Sequence, residues 1–217
     1  MTPIRTLILA GGEIHDYQAC GKEIHRILDA DDRFEVTYIE NDLSVFADGT
    51  LETCDVLVFY YTAGELTAAQ RDGLLDWVAA GKGFVGVHSA ADSFRNCPEY
   101  AAMIGGHFMT HPHYRTYQVM IADPEHPVTK DLVDADPPEF FVEDEMYVTS
   151  YAPRNHILAH ALWKNTTVPV AWVKPWGKGK VFWLALGHDG HACQQNIFEK
   201  FLIRGTAWAA TPSEQSE

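Results

Sequence analysis

Basic side chains are scarce in this chain: 16 Lys and Arg stand against 30 Asp and Glu over 217 residues, a formal charge of −14. Nucleic-acid binding depends on clustered Lys and Arg that displace counterions from phosphates, so this balance argues against DNA or RNA as a partner. Long apolar stretches are missing too. No run approaches the roughly 18 consecutive apolar residues of a membrane span. The first residues, Met1-Thr2-Pro3-Ile4-Arg5, pass straight into a strand-like run without the plan of a signal peptide. The expectation is a soluble, cytoplasmic protein. The four cysteines (Cys20, Cys54, Cys97, Cys193) lie far apart with no Cys-x-x-Cys pair, which argues against a disulfide framework or a zinc ribbon. A phosphate cradle is also lacking. Gly11-Gly12 is not followed by the third glycine a dinucleotide loop needs, and no Gly-x-x-x-x-Gly-Lys-Ser/Thr loop exists. Gly177-Lys178-Gly179-Lys180 falls between two strand-like runs and reads as a hairpin turn. No nucleotide cofactor is expected.

What is present is an ordinary globular composition with enough apolar residues for one sizeable core. Residues 1–210 read as a single domain and residues 211–217 as a polar, disordered tail. Three short apolar runs, 6–10, 55–61 and 84–87, have the character of buried strands, and 34–39 alternates like a strand. Helical patterns fall between them at 16–29 and from a Thr67 cap to about Ala80. Strands alternating with helices at this spacing imply βαβ units, hence an α/β fold with a mostly parallel sheet. The second half is richer in strands, with candidates at 114–122, 140–149, 157–163, 169–174 and 180–186, before a closing helix over 194–209.

In open α/β sheets ligands gather beyond the carboxyl ends of the strands. Three segments deliver polar residues there: Gly11-Gly12-Glu13-Ile14-His15-Asp16, Gly86-Val87-His88-Ser89-Ala90 and Gly187-His188-Asp189-Gly190-His191. The middle one has the Gly-x-nucleophile-x-small form of a nucleophile elbow, which thrusts its central side chain into a cleft. That central residue is His88, so the thiol or hydroxyl of such an elbow is absent. Cys97, nine residues on and beside Pro98, is a poor substitute.

The order of elements resembles the class I glutamine amidotransferase-like fold. Six segments in order resemble the ThuA-like (trehalose utilisation) family: Gly83-Phe84-Val85-Gly86-Val87-His88-Ser89-Ala90; Gly105-Gly106-His107-Phe108 with His111-Pro112; Glu143-Asp144-Glu145-Met146-Tyr147; Pro169-Val170-Ala171-Trp172; Gly177-Lys178-Gly179-Lys180-Val181-Phe182; and Leu186-Gly187-His188. The resemblance implies a three-layer, flavodoxin-like sheet with helices on both faces and extra antiparallel strands in the second half. It also implies a role in sugar catabolism beside sugar-oxidising dehydrogenases.

Among individual residues, His88 and His188 each follow a buried strand and are placed to converge at one sheet edge. Glu143 and Glu145, two apart on the expected strand, share a face, with Asp144 opposite. The plain alternative for these carboxylates is an acidic, solvated strand face. Pro112 biases His111 to an extended conformation, and its family-like His-Pro step favours it over His113. Asp16 suits the N-cap of the first helix. His15, His107, His113, Glu143 and His191 carry no assigned role from sequence. His88, Glu145 and His188 are therefore the expected polar or metal-ligating groups, with His111 or Glu13 as acid/base partner. Two imidazoles and a carboxylate suit zinc or a similar divalent ion with a position left open. Such a site suits a small-molecule sugar substrate, a keto-sugar above all, because a carbonyl acidifies the neighbouring C–H. Isomerisation, elimination and hydrolysis all begin there. A non-catalytic sugar-binding module and an amidotransferase-like hydrolase are the other classes the sequence admits, and a homo-oligomer is compatible with it.

Overall fold

The computed structural model describes residues 2–212; the remainder of the expected tail, 213–217, lies outside the described residues. Strands β1 (Ile4–Gly12), β2 (Phe34–Glu40), β3 (Val56–Thr62) and β4 (Gly83–Val87) alternate with helices α1 (Tyr17–Asp29) and α2 (Ala68–Ala79). Then follow α3 (Pro98–Ile104), β5 (Gly106–Thr110), β6 (Arg115–Ile121), β7 (Glu139–Asp144), β8 (Val148–Tyr151), β9 (His156–Trp163), β10 (Thr166–Trp176), β11 (Gly179–Leu184), α4 (Gly190–Cys193) and α5 (Asn196–Ala210). A nine-stranded sheet runs in the order β2-β1-β3-β4-β11-β10-β9-β6-β7, and β5 pairs with β8 in a separate two-stranded sheet. The strands from β2 to β11 are mutually parallel, and β10, β9, β6 and β7 continue the sheet in antiparallel fashion. This is the expected α/β class, with the additional antiparallel strands in the second half.

Local signals explain most boundaries. Asp16 caps α1 by accepting from the Ala19 N–H at 3.0 Å, and Thr67 and Gln70 form a capping box on α2. All seven residues of β3 are buried, as a central strand covered on both faces must be. The indoles of Trp172 and Trp183 stack 4.0 Å apart across the β10–β11 pair, which the 177–180 hairpin closes. No helix among the described residues is long and apolar enough to cross a membrane.

One expected strand needs correction. The stretch 140–149 is not one strand: β7 ends at Asp144, the chain turns through Glu145–Tyr147, and β8 joins the small sheet instead. Alternation holds to the last residue of β7, with Val142 and Asp144 buried and Glu143 exposed, and ends where the strand does. The histidine-bearing stretch 107–113 begins in a strand, since Gly106–Thr110 forms β5 against β8.

Candidate metal centre

The centre lies beyond the carboxyl ends of adjacent parallel strands. Val87 of β4 pairs in register with Leu184 of β11, so the residues that follow emerge side by side. His88 leaves β4 with φ +44°, a left-handed conformation rare outside glycine, and its side chain is wholly buried. That is the elbow geometry with imidazole at its apex. Its Nδ1 lies 2.5 Å from the Ala185 carbonyl oxygen, a partner that only accepts, so Nδ1 carries the proton and Nε2 presents a lone pair. Gly187, at φ +102°, turns the chain after β11; a Cβ there would lie 2.7 Å from the Phe198 ring. The turn swings His188 toward His88.

Glu145 meets both rings. Its Oε2 is 3.2 Å from His188 Nδ1 and 3.6 Å from His88 Nε2, and the two nitrogens are 3.4 Å apart. His111 Nδ1 reaches the other oxygen, Oε1, at 2.8 Å. His15, brought in by the loop after β1, has its ring 5.1 Å from each of the His88 and His188 rings. Its Nδ1 is held 2.8 Å from Thr62 Oγ1 and its Nε2 lies 3.4 Å from the Tyr147 hydroxyl. His15, His88, Glu145 and His188 together offer four ligand atoms within 4.8 Å of one another. The adjoining pocket, about 230 Å³, is lined by Ile14, Asp92, Arg95, Phe108, His111 and Tyr147 in addition to members of this group.

Electrostatics separates the roles. Burial by itself would raise the Glu145 carboxyl, but the hydrogen bond from His188 at 3.2 Å and the neighbouring His88 ring outweigh it and hold the group well below the usual carboxylate range. The hydrogen bond to Glu145 raises His188 against the opposing effect of burial. Burial, and then the neighbouring imidazoles, push His15 down to about 3, so it is neutral at physiological pH. Burial raises the Tyr147 phenol far enough to keep it protonated.

The donor set fits a divalent cation. Ligand atoms ~2.1 Å from a tetrahedral ion lie about 3.4 Å from one another, and the three distances joining His88, His188 and Glu145 bracket that value. With its Nδ1 proton committed to Ala185, the His88 Nε2 lone pair faces a carboxylate oxygen, and a cation held between the two would satisfy both. The Nδ1–carbonyl bond is also the usual support of a metal-bound histidine.

The remaining sequence candidates sit elsewhere. Glu13 is exposed and does not line the pocket. Glu143 is exposed on β7, 3.5 Å from the equally exposed His191, and does not share a face with Glu145. His107 bonds Ser150 Oγ at 2.8 Å across the small sheet, and His113 is exposed. Asp144, set aside by the sequence reading, is buried and accepts from the N–H groups of Gly187, His188 and Glu145 at 2.7, 3.1 and 2.7 Å. Burial raises its carboxyl while those N–H groups oppose the rise. Asp92 and Arg95, an ion pair at 2.5 Å on the pocket wall, were likewise missed. The signal available for them was their position just after the elbow.

A family model described as trehalose utilisation, ThuA, matches residues 5–209. A ThuA-like protein from Parabacteroides merdae superposes with a TM-score of 0.85 at 23% identity, covering 99% of this chain and 93% of that one. Another, from Bacteroides uniformis, gives 0.76 at 22% identity over 99% and 94%. A β-galactosidase from Bacillus circulans sp. alkalophilus contains a similar fold, with a TM-score of 0.60 at 12% identity over 96% of this chain but only 30% of the enzyme. No curated protein matches the sequence.

Proposed function

This chain belongs to the ThuA (trehalose utilisation) family, and from that premise we propose that it is an enzyme of carbohydrate catabolism acting on an oxidised (keto) sugar or disaccharide, such as a 3-keto-glycoside, at a divalent-metal site. The observation that carries the reading is the triangle of His88 Nε2, His188 Nδ1 and Glu145 Oε2, with edges of 3.2 to 3.6 Å. His15 is the fourth protein ligand available to the ion. A bound cation such as zinc supplies positive charge where a substrate carbonyl oxygen gains negative charge.

The protein's own groups move the proton. His111 donates from Nδ1 to Glu145 Oε1, which leaves Nε2 as a base on a half-exposed ring beside the pocket. That nitrogen takes the proton from the carbon next to the carbonyl, and the electron pair passes to the carbonyl oxygen. Glu145, held anionic, stabilises the imidazolium that forms, the role a carboxylate plays behind any catalytic histidine. When the pair returns, it expels the glycosidic oxygen, which recovers the proton from His111; the products are an unsaturated keto-sugar and a free alcohol. Returning the proton elsewhere on the enolised sugar gives isomerisation instead. The Tyr147 hydroxyl, kept protonated, is a donor at the edge of the group.

Elemental analysis of purified and reconstituted protein, joined to turnover assays on keto-disaccharides, tests the reading. The expected result is about one divalent ion per chain and release of the second sugar. Protein that holds no metal after reconstitution and turns over no keto-glycoside overturns it.

A further inference from the structure

Beside the reacting pocket lies a larger hollow of about 520 Å³. Its walls come from the chain just after the elbow (Ser93, Phe94, Arg95), from α3 (Pro98, Ala101) and from β5 (His107–Met109). Arg95 and Phe108 line both spaces, so the two share a wall. The groups at this junction touch one another: Arg95 is paired with Asp92 at 2.5 Å, its guanidinium carbon is 6.0 Å from the centre of the Phe108 ring, and that ring lies 4.5 Å from the Tyr147 ring.

We propose that this second hollow is the subsite for the leaving group, and that it receives the second hexose ring of a disaccharide whose first ring reacts beside Glu145. The inference rests on the reading of the site as one for keto-glycosides and assigns the part of the substrate that reading leaves open. At about 230 Å³ the reacting pocket is smaller than the roughly 300–1,000 Å³ of common ligand sites, whereas the adjacent hollow, at about 520 Å³, falls within that range. The walls offer what a pyranose needs: the Phe108 ring as a surface for its C–H face, and the Arg95 guanidinium and the exposed His107 for its hydroxyls. The lips are apolar and open, with Met109 63% exposed at the larger hollow and Ile14 82% exposed at the smaller. Ile14 also sits at φ +75°, a conformation a β-branched residue rarely adopts and of the kind found at ligand clamps.

Ala101, on α3 at the far wall, permits a test away from the reacting groups. In Ala101→Phe, kcat/KM for a keto-disaccharide should fall at least tenfold, through KM, while that for the corresponding methyl keto-glycoside stays within twofold. An equal effect on both substrates, or none on either, overturns the subsite while leaving the metal-site chemistry standing. A second measurement depends neither on the variant folding nor on turnover: calorimetric titration of the wild-type protein with an unoxidised glucose disaccharide and with methyl glucoside. A disaccharide binding at least tenfold tighter supports the subsite, and equal or absent binding of the two overturns it. Failure to turn over either keto-substrate counts against the proposed function, and the titration still decides the subsite.

Discussion

The carboxylate of Asp144 holds the backbone of His188, accepting its N–H at 3.1 Å while taking that of Gly187 at 2.7 Å. One buried side chain thus ties the end of β7 to the turn after β11, and Glu145, the next residue, faces the His188 ring across the same junction. The position of a functional carboxylate relative to a functional imidazole is set by the residue between strand and site.

Replacing Asp144 by Ala removes the acceptor for three N–H groups, among them the buried pair at Glu145 and Gly187. At about 1–3 kcal/mol for each buried donor left unpaired, partly relieved by entering water, the expected loss of stability is about 3 kcal/mol. Urea denaturation measures it. Asp144→Asn, which keeps one acceptor oxygen, should lose roughly half as much. Metal affinity in the Ala variant should drop ~10- to 100-fold, as when other supports of a metal site are removed.

His88→Ala, His188→Ala and Glu145→Ala should each lose the bound ion, as read by elemental analysis after dialysis. His111→Ala should retain the ion and its affinity while turnover falls ~10²- to 10⁴-fold, the usual contribution of a positioned acid/base group. A His111→Ala protein that loses metal along with the others would make His111 a ligand and remove the proposed base.

Glu13 and His15 stand two residues apart with opposite surroundings, one exposed and one in the pocket. Glu13→Gln should leave kcat/KM within twofold of the parent protein. His15→Ala should lower metal affinity at least tenfold, by removing one of the four ligand atoms. Parallel metal titrations and kinetics on the two variants separate these outcomes. An effect confined to Glu13→Gln would restore Glu13 as the acid/base partner.

At the opposite end of the sheet Asp55 pairs with Arg5 at 2.6 Å and with Lys82 at 3.3 Å, fastening β1 to the connection that precedes β4. The Arg5 hydrogen bond leads in lowering its carboxyl from 3.8 to about 2. A carboxyl depressed on folding adds stability that is fully present above its unfolded value and disappears as pH falls through the folded one. Asp55→Asn should therefore cost about 1 kcal/mol near neutrality, the upper range for a partly exposed ion pair. The difference from the parent protein should close between about pH 4 and pH 2. Thermal or urea melts over that interval measure it.

Much of the architecture was legible in the chain alone. The apolar runs at 6–10, 55–61 and 84–87 stand as β1, β3 and β4, with β1 and β4 slightly longer than their runs and β3 displaced by one residue, because central strands are buried on both faces and need no alternation. Asp16 and Thr67 mark their helix starts through side-chain oxygens that act within three residues. His88 and His188 were readable for the same local reason: each follows a buried strand, and parallel neighbours end at one edge.

Strand alternation carried information about Glu145 only as far as the strand lasted. Projected past Asp144, it put Glu145 on the face of Glu143; in the folded chain Asp144 is buried opposite the exposed Glu143, as alternation requires, and Glu145 turns toward the rings. What Asp144 holds there is a pair of N–H groups at 187 and 188, more than 40 residues away, and no local pattern encodes that contact. His15 likewise acquires its place from Thr62 and Tyr147, and Glu13, two residues earlier in the same loop, does not. Short-range sterics and burial periodicity are written into neighbouring residues and determine which segments become strands and helices. Which side chains share a pocket depends on hydrogen bonds between segments distant in the chain, and those exist only once the sheet has closed and packed.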